Sequence, residues 1–458
     1  MAATFVASPA ANSLIYPLLA VQNDKPSAPP TPKNDKRTIQ GWAFFDWANS
    51  AYALVITVAI FPGYFLAMTA DEVNVLGLRM SDGTLYAWSI SFAYLVIAAV
   101  SPLLSGIADY GGRRKEFLRF FTTIGALACM SLLFFTGMKT LWVGVTGFIL
   151  ATIGFAGGIV FYNSFLPQIA TEDRYDDVSA KGFSYGFIGS VILLIINLIV
   201  IQNFGFFGFS DGAKAVPAAF VMVGLWWIGF AQIPLRRLPD DAPTAADFDS
   251  EKMIARGYEE LRKVWRIVRN DRNTLTFLAT FFCYNAGVQA VLFLASTFAE
   301  KELHFSTSQL IYLVLILQIV AIGGAQLSAK ISEKKGNKFS LFSMLIIWTG
   351  ICITGYFVQT GLDFYLLAAA VGLVMGGVQS LSRSTYAKLL PEHSPETASF
   401  FSFYDVMDKV STVVGTFTFG FVTQLTGGMR PSVLALAVFF VVSLAALSAV
   451  KIRRMKLS

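Results

Sequence analysis

A chain of 458 residues with 55% hydrophobic and only 14% charged side chains, at mean hydropathy +0.60, is too poor in charge for a soluble globule. Its net charge of +6 is gathered on one set of alternate loops, so topology accounts for it and nucleic acid is not expected as a partner. Cys129, Cys283 and Cys352 lie in apolar runs without ligand spacing, and the two histidines, His304 and His393, sit at predicted helix ends; neither a metal site nor a His-based catalytic relay is expected.

The opening MAATFVASPAANSLIYPLLA lacks a basic n-region, and the next stretch is polar and rich in proline, so residues 1–38 are expected to form a disordered tail. About 20 apolar residues make a membrane-crossing helix. Twelve such spans are predicted, at 42–68, 84–106, 116–137, 141–166, 182–204, 215–234, 274–299, 307–330, 339–359, 363–389, 398–425 and 431–450. The fold class expected is therefore an all-α polytopic membrane protein. One set of alternate loops holds nearly all the lysine and arginine; the opposite set holds only Arg79, Lys139, Lys214, Lys301 and Arg430. The positive-inside rule then predicts both termini in the cytoplasm.

Between the sixth and seventh spans, DSEKMIARGYEELRKVWRIVRNDR places Ile254, Tyr258, Leu261, Val264, Trp265 and Val268 at helical spacing. This predicts a basic amphipathic helix, either on the membrane surface or solvated as a linker. It divides the chain into two six-helix bundles, 39–235 and 273–450, joined by a linker at 236–272 and followed by a basic tail at 451–458.

The halves repeat. SGIADYGGRRKEFL (105–118) aligns with AKISEKKGNKFSLF (329–342), matching Asp109 to Glu333, Gly112 to Gly336 and Arg114 to Lys338; Asn49 of the first span faces Asn285 of the seventh. Two related halves around a midplane site is a transporter architecture. Asp109, Gly112, Arg113 and Arg114 closely resemble the signature loop of the major facilitator superfamily, with Ser105 where a glycine is usual. An aspartate there can pair with arginine and cap a neighbouring helix, latching one side shut. Asn337 replaces the arginine in the second copy, so Glu333 is expected to form a weaker latch.

A more specific resemblance is to the vacuole effluxer family, the autophagy-related amino-acid exporters and their bacterial relatives. It is carried by DWANSAY (46–52), FYNSFLPQIA (161–170), KGFSYGFIG (181–189), YNAGVQA (284–290) and GGVQSLSRSTYAKLLP (376–391). The chain departs from the family at Ala286, where an acid is common, at Gln168, where an aspartate is usual, and at Asp405 and Asp408, where neutral residues are usual. The resemblance implies the major facilitator fold and alternating-access secondary transport, in a bacterial-type member of the cytoplasmic (inner) membrane.

Ionisable residues inside a membrane cost about 2.5–3.5 kcal/mol each and need a reason. Asp46 and Asn49 share one helix stripe. Asp46 is either a titrating or cation-binding acid or a gate charge balanced by a basic residue. Asn285 and Gln289 form an i, i+4 amide pair suited to a zwitterion or to gluing helices. Arg383 is a counter-charge for a substrate carboxylate or for Asp405 and Asp408, and an Arg383–Asp405/Asp408 network at the cytoplasmic gate is expected. With Tyr52, Asn163 and Gln379 from the same motifs, the substrate and coupling set is Asp46, Asn49, Tyr52, Asn163, Asn285, Gln289, Gln379 and Arg383. The gate set is Asp109, Gly112, Arg113, Arg114, Glu333, Asp405 and Asp408. The function expected is export of a small polar or zwitterionic solute such as an amino acid, coupled to protons, by a monomer without cofactor or enzymatic activity. No GxxxxGK[ST] run supports ATP hydrolysis. An amphiphile, lipid or drug transporter and a non-transporting sensor are the alternatives.

Overall fold

The computed structural model describes residues 32–75, 77–240, 250–391, 394 and 396–452. The expected tail up to residue 31, residues 241–249 of the linker, His393 and the basic tail from residue 453 lie outside the described residues. The first helix begins at Lys36, earlier than a tail ending at 38 allows. The Asp35 carboxylate accepts hydrogen bonds from the Thr38 backbone N–H and hydroxyl, both at 2.8 Å, and so starts the helix.

The first six helices are helix 1 (Lys36–Met68), helix 2 (Asp82–Gly111), helix 3 (Arg114–Phe134), helix 4 (Met138–Ile169), helix 5 (Glu172–Gln202) and helix 6 (Gly212–Arg237). A linker helix, Ser250–Asn270, follows. Helix 7 (Arg272–Leu303), helix 8 (Thr307–Lys335), helix 9 (Asn337–Phe357), helix 10 (Gly361–Leu389), helix 11 (Thr397–Thr426) and helix 12 (Met429–Ala449) complete the chain. Among the described residues, 11 helices are long and apolar enough to cross a membrane. Helix 11 is the exception to the expected twelve. Its 30 residues suffice in length, but Asp405, Asp408 and Lys409 and repeated threonines lower its hydropathy. Its threonine hydroxyls turn back onto the helix, as Thr416 does to the Thr412 carbonyl at 2.9 Å and Thr418 to Val414 at 2.8 Å, so little polar surface is left unpaired.

Helix 1 widens to π geometry over Tyr52–Ile60, where the Phe61 N–H bonds the Ile56 carbonyl five residues back. Pro62 has no N–H and its ring crowds the preceding turn, which the wider winding accommodates. Between helices 1 and 2, β1 (Glu72–Val75) pairs antiparallel with β2 (Leu78–Ser81), Glu72 opposite Ser81.

Helix packing repeats with a shift of six. Helix 1 packs on helices 5 and 6, helix 3 on helices 4 and 6, and helix 2 on helix 4; helices 7, 9 and 8 repeat these pairings with helices 11, 12 and 10. Across the two sets, helix 5 packs on helices 8 and 10, and helix 11 on helices 2 and 4. Both ends of the described chain lie on one side, where Lys33, Asn273, Lys388 and Lys451 line a common cleft. This is the termini side below.

The linker helix does not use its apolar stripe as one surface. Gly257, Val264 and Val268 are buried, while Ile254, Tyr258 and Trp265 are exposed. Gly257 meets Gly106 of helix 2 backbone to backbone: a Cβ on Gly106 would lie 2.3 Å from the Gly257 carbonyl oxygen.

Candidate functional site

Helix 10 carries Arg383 across the interface into the first six helices, and its guanidinium organises the most buried cluster. Asp46 of helix 1 is its ion partner, with Nη1 to Oδ2 at 3.4 Å. Nη1 also donates to Asn163 Oδ1 at 3.2 Å, Nε to Ser179 Oγ at 2.9 Å and Nη2 to the Ser179 carbonyl at 2.8 Å. The Tyr162 hydroxyl donates to the same Asp46 oxygen at 2.7 Å. The guanidinium lies over the Trp42 and Phe183 rings at 4.7 and 4.3 Å. Arg383 is 3% exposed and Asp46 7%. Planar stacking with forked donors is geometry that arginine, not lysine, supplies. The expected Arg383–Asp405/Asp408 network is thus not what forms. Arg383 pairs with Asp46, 337 residues away, and the helix 11 acids have their own base.

That base is Lys409, which sequence reasoning passed over as a neighbour. Its Nζ lies 3.1 Å from Asp405 Oδ1 and 2.7 Å from Asp408 Oδ2. Asn285 Nδ2 donates to Asp408 Oδ1 and to Ser411 Oγ, both at 2.8 Å, and Gln289 Nε2 reaches Asp408 Oδ1 at 3.4 Å. The helix 7 amide pair is therefore engaged with helix 11. Its counterpart Asn49 is buried, with Oδ1 lacking a hydrogen-bond partner. Tyr52 turns into the first six helices, its hydroxyl 2.8 Å from Thr152 Oγ1 and its ring stacked on Trp227. Gln379 is half-buried.

Two further clusters join the halves at the termini side. Asp109, at the end of helix 2, caps helix 11: Oδ2 accepts the Ser399 N–H and hydroxyl at 2.7 Å each, and Oδ1 the Ala398 N–H at 3.2 Å. Arg114 Nε lies 3.8 Å from Asp109, and Nη1 donates to Thr397 Oγ1 at 2.5 Å. Gly112, at φ +61°, closes helix 2 in the left-handed region, and Arg113 pairs with Glu116 at 3.6 Å. The related loop of the second half works differently. Glu333 is exposed and is not the latch. Its neighbours Ser332 and Asn337 instead bond Asp176 of helix 5, each at 2.8 Å, and Lys388 of helix 10 bonds both Asp176 and Asn337 at 2.8 Å. Neither Asp176 nor Lys388 was singled out in the sequence. The replacement of arginine by Asn337 was the available signal, because an amide can donate to one partner and accept from another.

The linker helix adds a fourth tie through Lys263, which bonds Glu396 at the head of helix 11. Burial opposes ionisation of Glu396, but hydrogen bonds from Lys263 and Ser394 outweigh it and hold the carboxyl below its ordinary value. The hydrogen bond to Glu396 holds the Lys263 ammonium above its own.

Among the described residues, every hydrogen bond and ion pair between residues 32–240 and residues 272–452 falls in the termini-side half of the helices. The deepest are those of Ser184, which accepts from Gln326 Nε2 at 2.9 Å and donates to the Ile322 carbonyl at 3.5 Å, twelve residues into helix 5, about 18 Å at 1.5 Å per residue.

The family described as Vacuole effluxer Atg22 like matches residues 34–457. The chain is 30% identical over 417 residues to the MFS-type transporter YxiO of Bacillus subtilis (strain 168), covering 89% of this chain and 93% of that one. It is 26% identical over 491 residues to Autophagy-related protein 22 of Kluyveromyces lactis, covering 93% and 95%. Among solved structures, it resembles the human organic anion transporter MFSD10 (TM-score 0.68, 11% identity, 91% of this chain and 100% of that). It also resembles the E. coli fucose:proton symporter (TM-score 0.65, 12% identity, 91% and 98%). The fold is that of these transporters, and across nearly its whole described length the chain belongs to the vacuole effluxer Atg22-like family of major facilitator transporters.

Proposed function

We propose that the protein is a secondary transporter that exports a small zwitterionic or polar solute, such as an amino acid, across a bacterial cytoplasmic membrane. In this reading it is a proton-coupled monomer with both ends in the cytoplasm. The observation that carries it is the one-sided set of ties: Asp46–Arg383, Asp176–Lys388 and the Asp109 cap all join the two six-helix sets at the termini side. Loop lysine and arginine are concentrated on that side, which supports its assignment to the cytoplasm. The structure is then a state closed to the cytoplasm.

Alternating access requires these ties to be made in one state and broken in the other. Asp46–Arg383 and Asp176–Lys388 each join one acid to one base, while the Asp109 cap joins a carboxylate, balanced by Arg114 of its own set, to N–H and hydroxyl donors of helix 11; what opens each tie is water or solute replacing the partner. A zwitterion is suited to that exchange, since its carboxylate can take the place of Asp46 on Arg383 and its ammonium the place of Arg383 on Asp46. Asn163 already accepts from Arg383, and Asn49 lies one turn along helix 1 from Asp46. The amphiphile reading has one apolar cavity in its favour, lined by Val291, Leu294, Phe298, Phe364 and Phe419; at about 60 Å³ it has room for a few waters, not an acyl chain. The test is uptake of labelled amino acids into proteoliposomes containing the full chain, with and without a pH gradient. Movement of at least one amino acid is expected; movement of none under either condition overturns the reading.

A further inference from the structure

Among the described residues, the ion networks inside the membrane helices balance, with one exception. Asp46 is matched by Arg383, Asp109 by Arg114 and Asp176 by Lys388. On helix 11, Asp405 and Asp408 share the single ammonium of Lys409. Two carboxylates against one ammonium leave a formal charge of −1. The surroundings do not supply the missing positive charge. Helix 7 presents the amides of Asn285 and Gln289, its charged residues Arg272, Glu300, Lys301 and Glu302 lying at its two ends, and helix 2 presents the Tyr94 ring, 5.4 Å from Lys409 Nζ. The charged residues of helix 2 are Asp82 and Asp109, at its two ends. Helices 4 and 12 each carry one, Lys139 and Arg430, at the side away from the termini. On the linker helix, Lys263 is held by Glu396.

The triad is also asymmetric. Asp408 accepts from Lys409, Asn285 and Gln289, and its side chain is 23% exposed. Asp405 has only Lys409, its side chain is 3% exposed, and its Oδ2 is buried without a hydrogen-bond partner. An odd negative charge, an unpartnered carboxylate oxygen and a half-buried neighbour that water can reach together describe a site that is incomplete without a cation.

We propose that Asp405, set by Lys409 and Asp408, is the coupling site of this transporter and takes up one unit of positive charge per cycle, carried by a proton. The step forms one O–H bond. A hydronium on the open side gives its proton to Asp405 Oδ2 and becomes water, leaving a neutral carboxylic acid beside the Asp408–Lys409 pair. After access changes, water on the other side takes the proton back. With the triad neutral, helix 11 carries no net charge past helices 2 and 7, which removes an electrostatic barrier to the change of access. A monocationic solute replaces the proton, so protons entering on one leg drive the solute out on the other; a zwitterionic solute, adding no charge, travels with the proton and leaves the cell when its own outward gradient exceeds the proton gradient. The inference rests on the transporter reading, and two measurements separate their failures.

The first is transport by full-length protein in proteoliposomes, using a panel of labelled amino acids. With one proton per solute, a gradient of one pH unit supports at most about ten-fold accumulation. Asp405→Asn is expected to lose that accumulation and keep the exchange of labelled for unlabelled amino acid; Asp405→Glu is expected to restore it. Gradient-driven accumulation by Asp405→Asn equal to the unaltered protein overturns the site. The second measurement uses no solute. Infrared titration of the reconstituted protein is expected to show a protonated-carboxyl band that Asp405→Asn lacks and Asp405→Glu retains at a shifted position. No such band, or one unchanged in Asp405→Asn, overturns the site even if no amino acid moves. Absence of exchange in the unaltered protein, with the band assigned to Asp405, overturns the amino-acid reading alone.

Discussion

Arg383→Ala isolates the buried Asp46–Arg383 tie between the two halves. The substitution removes an ion pair at 3.4 Å, three hydrogen bonds between 2.8 and 3.2 Å and the stacking on Trp42 and Phe183. It leaves the buried Asp46 carboxylate with Tyr162 as its remaining hydrogen-bond donor. Stranding one member of a buried ion pair costs about 3–5 kcal/mol. That cost falls on the closed state, because water reaches Asp46 once the termini side opens. The ratio of open to closed forms should therefore rise by about a hundred- to a few-thousand-fold. Ala180 of helix 5 is buried against Ala325 and Ala329 of helix 8 and so reports on the closed side. In a background with Cys129, Cys283 and Cys352 replaced by alanine, labelling of Ala180→Cys by a charged maleimide should accelerate by at least ten-fold when Arg383→Ala is added. Arg383→Lys, which keeps the charge but loses the planar fork, should fall between. An unchanged labelling rate in Arg383→Ala, with the thermal melt intact, refutes the assignment of this pair as a gate.

Gly182→Ala should destabilise the same cluster, because its methyl would lie 2.7 Å from Tyr162 Oη, 2.8 Å from Asp46 Oδ2 and 2.9 Å from Arg383 Nη2. A thermal-melt loss of about 1–3 kcal/mol is expected, and combination with Arg383→Ala should be less than additive. Asp109→Ala removes the cap of helix 11, costing about 0.5–2 kcal/mol, and should raise Ala180→Cys labelling without altering pairing at Asp176. The Lys263–Glu396 tie should respond to pH. Glu396 is held below its ordinary value of 4.5, so its contribution is present above that value and is lost as pH falls through its lowered one. Lys263 is held above 10.5, so its contribution is present below that value and is lost as pH rises past its raised one. Hydrogen exchange of the linker helix should therefore speed up at the acid extreme in the unaltered protein and already be fast near neutrality in Glu396→Gln.

Local pattern was enough for the helices and the repeat, because apolar runs and loop charge are read along the chain. The first boundary moved only because Asp35 caps at a position the apolar pattern does not mark. Helix 11 resembled the others by length, yet its three charged residues belong to a network with helices 2 and 7. Pairing across the halves was the part that pattern could not supply. Asp46 and Arg383 meet through the packing of helices 5 and 10, whereas the expected Arg383–Asp405 contact relied on proximity in sequence. Asp176 and Lys388 read as boundary charges beside a bilayer, and only the packing of helix 5 on helices 8 and 10 brings them together, with Asn337 bonding both. The alignment that matched Asp109 to Glu333 was sound in register; the second loop uses the adjacent Ser332 and Asn337 because Glu333 faces outward.

The central claim is that the termini-side interface must open for solute to move. A short, reducible thiol cross-linker between Ala180→Cys and Ala329→Cys, in the background lacking native cysteines, joins helix 5 to helix 8 across that interface. Amino-acid movement in proteoliposomes should stop once the link is complete and return on reduction. Movement at an undiminished rate through fully cross-linked protein would contradict the account.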